Sequence, residues 1–462
     1  MIQAESERPG VRQAGLASAR RGAGWRARVR TGRLRLLLGG AACLLVLPAT
    51  SCRPGPWDPL RLGSSIAPFE RLPYVQAVDT TGAWVLWRAE ATVRDSFLYR
   101  VRGDSAWRPA AVERYPVTGR ETSESESPAG SMSDRRARLT GLPPGAEVEY
   151  VVYADTVGIG PTTFRTSPRP GHGARLRVLA FGDSGWGSES QLRLAELMAG
   201  RPWELAIHTG DIAYVNGSEE DFTARHFHVY RALLASVPFF PSAGNHDIRT
   251  RGGLPYDRAF VWPAPRPGAR YYTFRWGDVR FFALDTSSQG AGDDLRWADG
   301  PQYTWLAAAL DSASRELDLR WTIAYMHHPL YSHPTGMAGK GSDRRLRRSL
   351  APLFDRYGVD LVLAGHDHHY ERSRPIRGGE VVASGCGPVY VVTGGGGGSL
   401  YARGVAVAPP GTARIARVHH FLSLGIEAEV IEGRAIGVDG QPIDEFRVHA
   451  FAGGSKTAFD CR

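Results

Sequence analysis

The 462-residue sequence holds only four cysteines, Cys43, Cys52, Cys386 and Cys461, and no two of them form a Cys-x-x-Cys pair. That excludes a cysteine-built zinc finger, an iron–sulfur centre and a thioredoxin-type redox motif. Lysine is nearly absent. Lys340 and Lys456 are the only two, so almost every cation is arginine, a bias we read as one of coding. Long apolar runs are missing too. The longest, Leu36 to Leu47, is too short for a comfortable bilayer span, and a multi-span membrane protein is excluded. Excess positive charge is absent from the body of the chain. The net charge is +9, but residues 1–51 hold nine arginines and two glutamates, so seven of those charges lie there. The rest is close to neutral and needs no polyanionic partner, so nucleic acid is not expected. What the chain does have is core material: 42% hydrophobic residues and 12 tryptophans. Its length suggests two or three domains at about 150 residues each.

Residues 1–51 read as an export leader: an arginine-rich region, the short apolar stretch, then small residues ending at Cys52. The expected location is therefore periplasmic, cell-surface or secreted. Two readings of Cys52 stand open: lipidation, which would anchor the protein to a membrane, or plain secretion with an unmodified thiol. In an oxidising compartment Cys386 and Cys461 either form one disulfide or remain two free thiols. The oligomeric state is not legible.

Residues 52–66 are rich in proline, glycine and serine and read as a linker. From 67 to 168 short alternating strands, such as 82–87, 97–101 and 149–153, recur between turn residues. That rhythm predicts an all-β immunoglobulin-like sandwich. The Ser/Glu/Gly-rich stretch 119–134 is expected to be a loop. From 171 to 452 the period changes and strands alternate with helices. Strands are predicted at 176–181, 203–208, 279–284, 321–325 and 359–364. Helices are predicted at 190–198, 221–234, 303–313 and 344–357. This implies an α/β layered fold with a largely parallel central sheet.

In such folds sites form beyond the carboxyl ends of strands. Five strand ends here each deliver a metal-competent residue: Gly182-Asp183-Ser184-Gly185, Gly210-Asp211-Ile212-Ala213-Tyr214, Gly244-Asn245-His246-Asp247, Met326-His327-His328-Pro329, and Gly365-His366-Asp367-His368. Each alone is weak, since a Gly-Asp after a strand is usually a turn. The ordered set is not. Asp183, Asp211, Tyr214, Asn245, His327, His366 and His368 supply four oxygens and three nitrogens, too many for one ion. With Asp211 bridging, they divide into two sites. Tyr214 selects the metal, because a phenol of pKa about 10 binds as phenolate near neutral pH only to a strong Lewis acid such as trivalent iron. The alternative for Tyr214 is a packed aromatic.

These motifs, in this order, resemble the purple acid phosphatase family within the calcineurin-like metallophosphoesterases. The resemblance covers about 175–450, and the preceding sandwich resembles the family's fibronectin type III-like domain. It implies a four-layer α/β/β/α catalytic domain. It also implies that Asp183, Tyr214 and His368 hold Fe(3+), that Asn245, His327 and His366 hold a divalent iron, zinc or manganese ion, and that Asp211 bridges. The implied activity is hydrolysis of small phosphomonoesters by metal-activated hydroxide, with His246 as general acid oriented by Asp247. Two features depart from the family. Val148 stands where a tyrosine corner is usual. His333 is the only candidate for a histidine pair that contacts substrate in plant members. His226 and His228 match no family ligand and read as packed or solvated. Two other functions stay in view: a metallophosphodiesterase or nucleotidase, and a surface binding protein.

Overall fold

The computed structural model describes residues 66–117, 132–171, 173, 175–263, 267–287, 294–333, 340–401 and 411–450. The leader, Cys52, Cys461 and most of the 119–134 stretch lie outside the described residues. Met132–Asp134, expected in a loop, instead open a strand, because Ser133 and Arg135 alternate inward with Ala137 and Leu139.

The N-terminal part is all β. It comprises β1 (Phe69–Gln76), β2 (Ala83–Glu90), β3 (Asp95–Val101), β4 (Arg108–Pro109), β5 (Val112–Pro116), β6 (Met132–Leu139), β7 (Glu147–Ala154) and β8 (Val157–Arg165). They form two four-stranded sheets, ordered β1-β2-β6-β5 and β4-β3-β7-β8. Period-two alternation turns Val85, Trp87, Phe97, Leu139, Val148 and Val152 into a shared core. Val148 fills that core. Tyr150, two residues on, sends its hydroxyl to the Ala235 carbonyl of the α/β part at 2.6 Å.

The remainder forms two mixed sheets, not one largely parallel sheet. The first contains β9 (Leu176–Phe181), β10 (Leu205–His208), β11 (Phe239–Pro241), β21 (His420–Ile426), β22 (Val430–Gly437) and β23 (Pro442–His449), in the order β11-β10-β9-β21-β22-β23. The second contains β12 (Tyr272–Trp276), β13 (Val279–Ala283), β14 (Trp321–Met326), β15 (Leu361–Ala364), β16 (Tyr370–Ser373), β19 (Val389–Thr393) and β20 (Thr412–Ala416), in the order β12-β13-β14-β15-β19-β16-β20. A hairpin of β17 (Ile376–Arg377) and β18 (Glu380–Val381) stands apart. In the first sheet antiparallel strands lie on one side of the parallel ones and β11 forms the other edge, whereas in the second sheet antiparallel strands form both edges.

Three apolar clusters define four layers. Val178, Ala180 and Ile207 of the first sheet share a core with Phe281, Ile323 and Leu363 of the second. The other face of the first sheet (Leu179, Phe181, Phe239) packs on α1 (Glu189–Ala199), α3 (His228–Leu234) and α4 (Leu254–Ala259). The other face of the second (Phe282, Ala324, Val362) packs on α5 (Pro301–Ala313) and α6 (Arg344–Tyr357). This is the expected α/β/β/α sandwich. The strands were legible as continuous apolar runs because helices or a second sheet cover both faces. Helix α6 is bounded by Asp343, whose carboxylate accepts the Arg345 and Leu346 amides, and by left-handed Gly358.

α2 (Glu219–Phe222) runs through a π-helical turn, Thr223–Phe227, into α3. β1 and β2 dock against this segment. The buried Glu219 carboxylate accepts from Arg71 and Arg88 at 2.7 Å each. Arg71 also donates to Thr223 Oγ1 at 2.9 Å, and Tyr74 donates to the Ala259 carbonyl at 2.8 Å. No helix among the described residues is long and apolar enough to cross a membrane.

Candidate metal centre

The parallel pairing of β9, β10 and β11, and of β13, β14, β15 and β19, sends their carboxyl ends to one edge of each sheet. The first sheet delivers Asp183, Asp211, Tyr214 and Asn245. The second delivers His327, His366 and His368. The side chains meet between the two edges.

They meet as two sets. In the first, the Tyr214 hydroxyl lies 3.2 Å from Asp183 Oδ1 and 3.0 Å from His368 Nε2, and His368 Nε2 lies 3.3 Å from Asp183 Oδ1. In the second, His327 Nε2 lies 3.1 Å from Asn245 Oδ1 and 3.1 Å from His366 Nδ1. Asp211 Oδ2 adjoins the second set, 3.4 Å from His327 Nε2. Ligands about 2.1 Å from an ion and at right angles to one another are about 3 Å apart, which is the spacing seen here.

The chemistry of the donors fits cations. His327 Nδ1 faces the Thr209 carbonyl at 2.9 Å and His368 Nδ1 faces the Ser399 carbonyl at 2.7 Å. A nitrogen facing a carbonyl carries its proton, so each Nε2 turns a lone pair inward. There it meets carboxylate, amide and phenol oxygens. Lone pairs set against lone pairs call for positive charge between them. Burial pulls His327 down, but the facing Asp211 carboxylate outweighs it and pushes the ring up to about 9, so a proton sits on Nε2 wherever a cation does not. Burial, with Asp211 and Asp183 nearby, pushes Tyr214 well above the ordinary phenol range. A phenolate there demands a strongly charged ion. Asp183, Asp211, Tyr214 and His327 are all at most 1% exposed.

The backbone is arranged for this convergence. Asp183, Asp211 and His366 are three of the six non-glycine residues with positive φ among the described residues, at 56°, 55° and 68°. Such conformations are sparsely populated and cluster at functional sites. Gly244 is obligatory, since a Cβ there would lie 2.0 Å from the Asp211 amide nitrogen.

His246 and Asp247 do not form the expected pair. Asp247 is buried, and its carboxylate accepts the amides of Ile212 at 2.8 Å, Ala213 at 3.0 Å and Gly244 at 2.8 Å. It fastens the Asp211 loop to the Asn245 loop. His246 is instead oriented by its own Nδ1, 2.6 Å from the Val215 carbonyl. Its Nε2 lies 3.9 Å from Asp211 Oδ2. His333 is buried against Glu371, whose Oε2 accepts the His333 amide at 2.8 Å. The same carboxylate lies 3.1 Å from His369 Nε2, so His333 belongs to a buried side-chain network. His226 is fully buried among Phe227, Tyr230, Phe239 and Phe260. His228 Nε2 lies 2.8 Å from the Glu70 carbonyl. Both are packed.

Four residues at the centre escaped sequence reasoning. His328 groups with His327 and His366 as possible metal donors. Lys340 donates to the His366 carbonyl at 2.5 Å and stands over the Tyr401 ring. Tyr401 donates to that carbonyl at 2.7 Å and stacks on His368. Gly398, within the run after β19, donates to the Asp183 carbonyl at 2.8 Å. The five consecutive glycines and the rarity of lysine were the available signals.

The double β-sandwich between helices thus carries, at one rim, a cluster of oxygen and nitrogen donors that could hold metal ions. Comparison with known proteins gives a match of residues 176–370 to the calcineurin-like phosphoesterase family. An uncharacterized protein of Mycobacterium tuberculosis is 30% identical over 310 residues, 56% of this chain and 57% of that protein. A nucleotide pyrophosphatase/phosphodiesterase of Hordeum vulgare is 29% identical over 282 residues, 52% of this chain and 73% of that one. The chain thus spans little more than half the length of its mycobacterial relative. Among solved structures, a purple acid phosphatase from yellow lupin (Lupinus luteus) seeds superposes with a TM-score of 0.71 at 20% identity, covering 83% of this chain and 74% of the other.

Proposed function

We propose that the protein is a dinuclear-metal phosphoric ester hydrolase of purple acid phosphatase type acting on small phosphate esters. The observation that carries this is the grouping of the seven side chains into two donor sets, with ligand atoms of Asp211, of Asp183 from the first set and of His327 from the second all within 4.8 Å of one another. Asp183, Tyr214 and His368 would hold a ferric ion; Asn245, His327 and His366 would hold divalent iron, zinc or manganese. When bound, such ions polarise phosphoryl oxygens and lower the pKa of a coordinated water. The chain's own residues do the rest. Thr209 and Ser399 fix the tautomers of His327 and His368. Val215 fixes the His246 ring, which turns Nε2 toward the centre as the general acid for the leaving group. Asp247 supports the loops from behind and is a positioning residue.

Metal analysis with a visible spectrum tests the reading. Two ions per chain and a phenolate–iron charge-transfer band support it. A colourless protein with zinc or manganese alone keeps a hydrolase and removes the ferric assignment. His246→Ala is expected to lower kcat roughly 10²–10⁴-fold with metal content intact; full activity, or lost metal, refutes the role.

A second reading, a nucleotidase or phosphodiesterase, is favoured by the barley relative, and paired monoester and diester assays separate the two. A surface binding protein would not need so complete a donor set. Export, and a fibronectin type III-like identity for residues 67–168, belong to the same proposal, supported by the leader and by the two-sheet strand order.

A further inference from the structure

Lys340 is the only lysine among the described residues, and it stands at the metal centre. Its ammonium donates to the His366 carbonyl at 2.5 Å and lies 5.3 Å from the centre of the Tyr401 ring. Tyr401 in turn stacks on His368, with ring centres 4.8 Å apart, and its hydroxyl donates to the same His366 carbonyl. Lys340 is partly buried and has no carboxylate partner among the described residues.

The backbone beside it is pinned. Ser332 donates its amide to Ser342 Oγ at 2.9 Å, and Ser342 returns its hydroxyl at 2.9 Å and its amide at 3.2 Å to the Ser332 carbonyl. Asp367, between the donors His366 and His368, fastens this junction. Its Oδ2 accepts the Ser332 hydroxyl and the Gly341 amide, the latter at 2.9 Å. Gly341 follows Lys340 directly, so the lysine is tied to the strand end that carries two of the seven donors.

An ammonium withdrawn from water is usually matched by a carboxylate, because neutral neighbours repay lost hydration poorly. Here the partners are a carbonyl and an aromatic ring, which orient the cation and leave its charge whole. Of the carboxylates that act on it electrostatically, Asp183 and Asp211 belong to the donor sets, and Asp367 is committed to the loop through Oδ2. An ammonium has three N–H bonds, and the His366 carbonyl takes one. The rest suit an anion. A phosphate monoester, whose second pKa is about 6, arrives near neutral pH mostly as a dianion, and in phosphoryl transfer its charge spreads over three equatorial oxygens. A cation held in advance meets that charge without reorganisation.

We propose that Lys340 is a substrate-binding residue of this centre, its ammonium pairing with a non-bridging oxygen of the phosphoryl group, and that Tyr401 and Asp367 are its positioning residues. This rests on the hydrolase reading above and extends it to a side chain outside both donor sets. Lys340 forms and breaks no covalent bond.

The test uses the metal-loaded full chain with inorganic phosphate and glycerol 2-phosphate. Lys340→Gln keeps a donor for the His366 carbonyl and removes the charge. By calorimetry it should bind phosphate roughly tenfold to hundredfold more weakly than the wild type, with a similar loss in kcat/KM, two ions per chain and an unchanged melting temperature. Lys340→Arg should recover most of that loss. The wild type offers a measurement free of any folding defect, because the chain has only two lysines. With 13C-lysine labelling of the zinc-loaded protein, phosphate should shift the Lys340 Cε signal, assigned by its persistence in Lys456→Arg. Wild-type phosphate affinity in Lys340→Gln, weaker binding that follows only from lost metal, or an unmoved Lys340 signal at saturating phosphate overturns this inference and leaves the hydrolase reading standing. A wild type that holds two ions yet neither binds phosphate nor hydrolyses the ester overturns both.

Discussion

Asp183, Asp211 and His366 each turn their backbone left-handed, and the sequence hinted at this only through the glycines beside them. Which residues would come together was legible, because oxygen and nitrogen donors recur at strand ends. How neighbours would be used was not. Asp247 follows His246 directly, so adjacency suggested a carboxylate–imidazole pair. The peptide geometry instead sends that carboxylate into three amides. Asp247→Asn places an amide donor among those donors. It is expected to weaken metal binding roughly 10–100-fold, read as metal content after dialysis, with activity restored by excess metal. A variant with full metal and a changed pH–rate profile would instead mark Asp247 as a partner of His246.

At the scale of elements, the segment 221–234 was readable as a helix, but its π turn was not. The extra residue shows only in three dimensions, where it lodges His226 among four aromatic rings. Neither ring nitrogen of His226 has a partner among the described residues, and burial holds the imidazole well below its ordinary value. His226→Phe is therefore expected to stabilise the protein by about 1–3 kcal/mol, measured by denaturant unfolding; destabilisation would show that the nitrogens are bonded in solution. The strands β16 and β20 to β23 were also illegible. β16 pairs with β20 and β9 with β21 across long stretches of sequence, which no local period records, whereas β21, β22 and β23 are successive hairpin strands that sequence reasoning missed. The short β11, by contrast, was signalled by the motif that follows it.

Over the whole molecule, burial holds His208 down at about 3 and His420 at about 4. The unfolded chain binds protons at these sites below about pH 6.5 and the folded chain does not. The contribution of these two groups is therefore complete above pH 6.5 and is lost as pH drops from there toward 4. The loss is about 1.4 kcal/mol per pH unit for each group. Unfolding midpoints measured from pH 7 to 4.5 should trace this fall, and a flat profile would contradict it. An acid-active enzyme of this build would have to gain elsewhere, and bound metal is the natural source: chelation should lower the melting temperature. Glu219 adds a constraint of the same reach. Glu219→Ala leaves Arg71 and Arg88 buried without their shared carboxylate and is expected to cost about 3–5 kcal/mol.

Cutting the polypeptide between its two halves would strand that carboxylate on one fragment and its two arginines on the other. Each fragment would also bare a surface evolved to stay dry. Anyone wishing to crystallise or evolve the catalytic half alone should expect it to clump, and should carry the β-rich half along as its built-in chaperone.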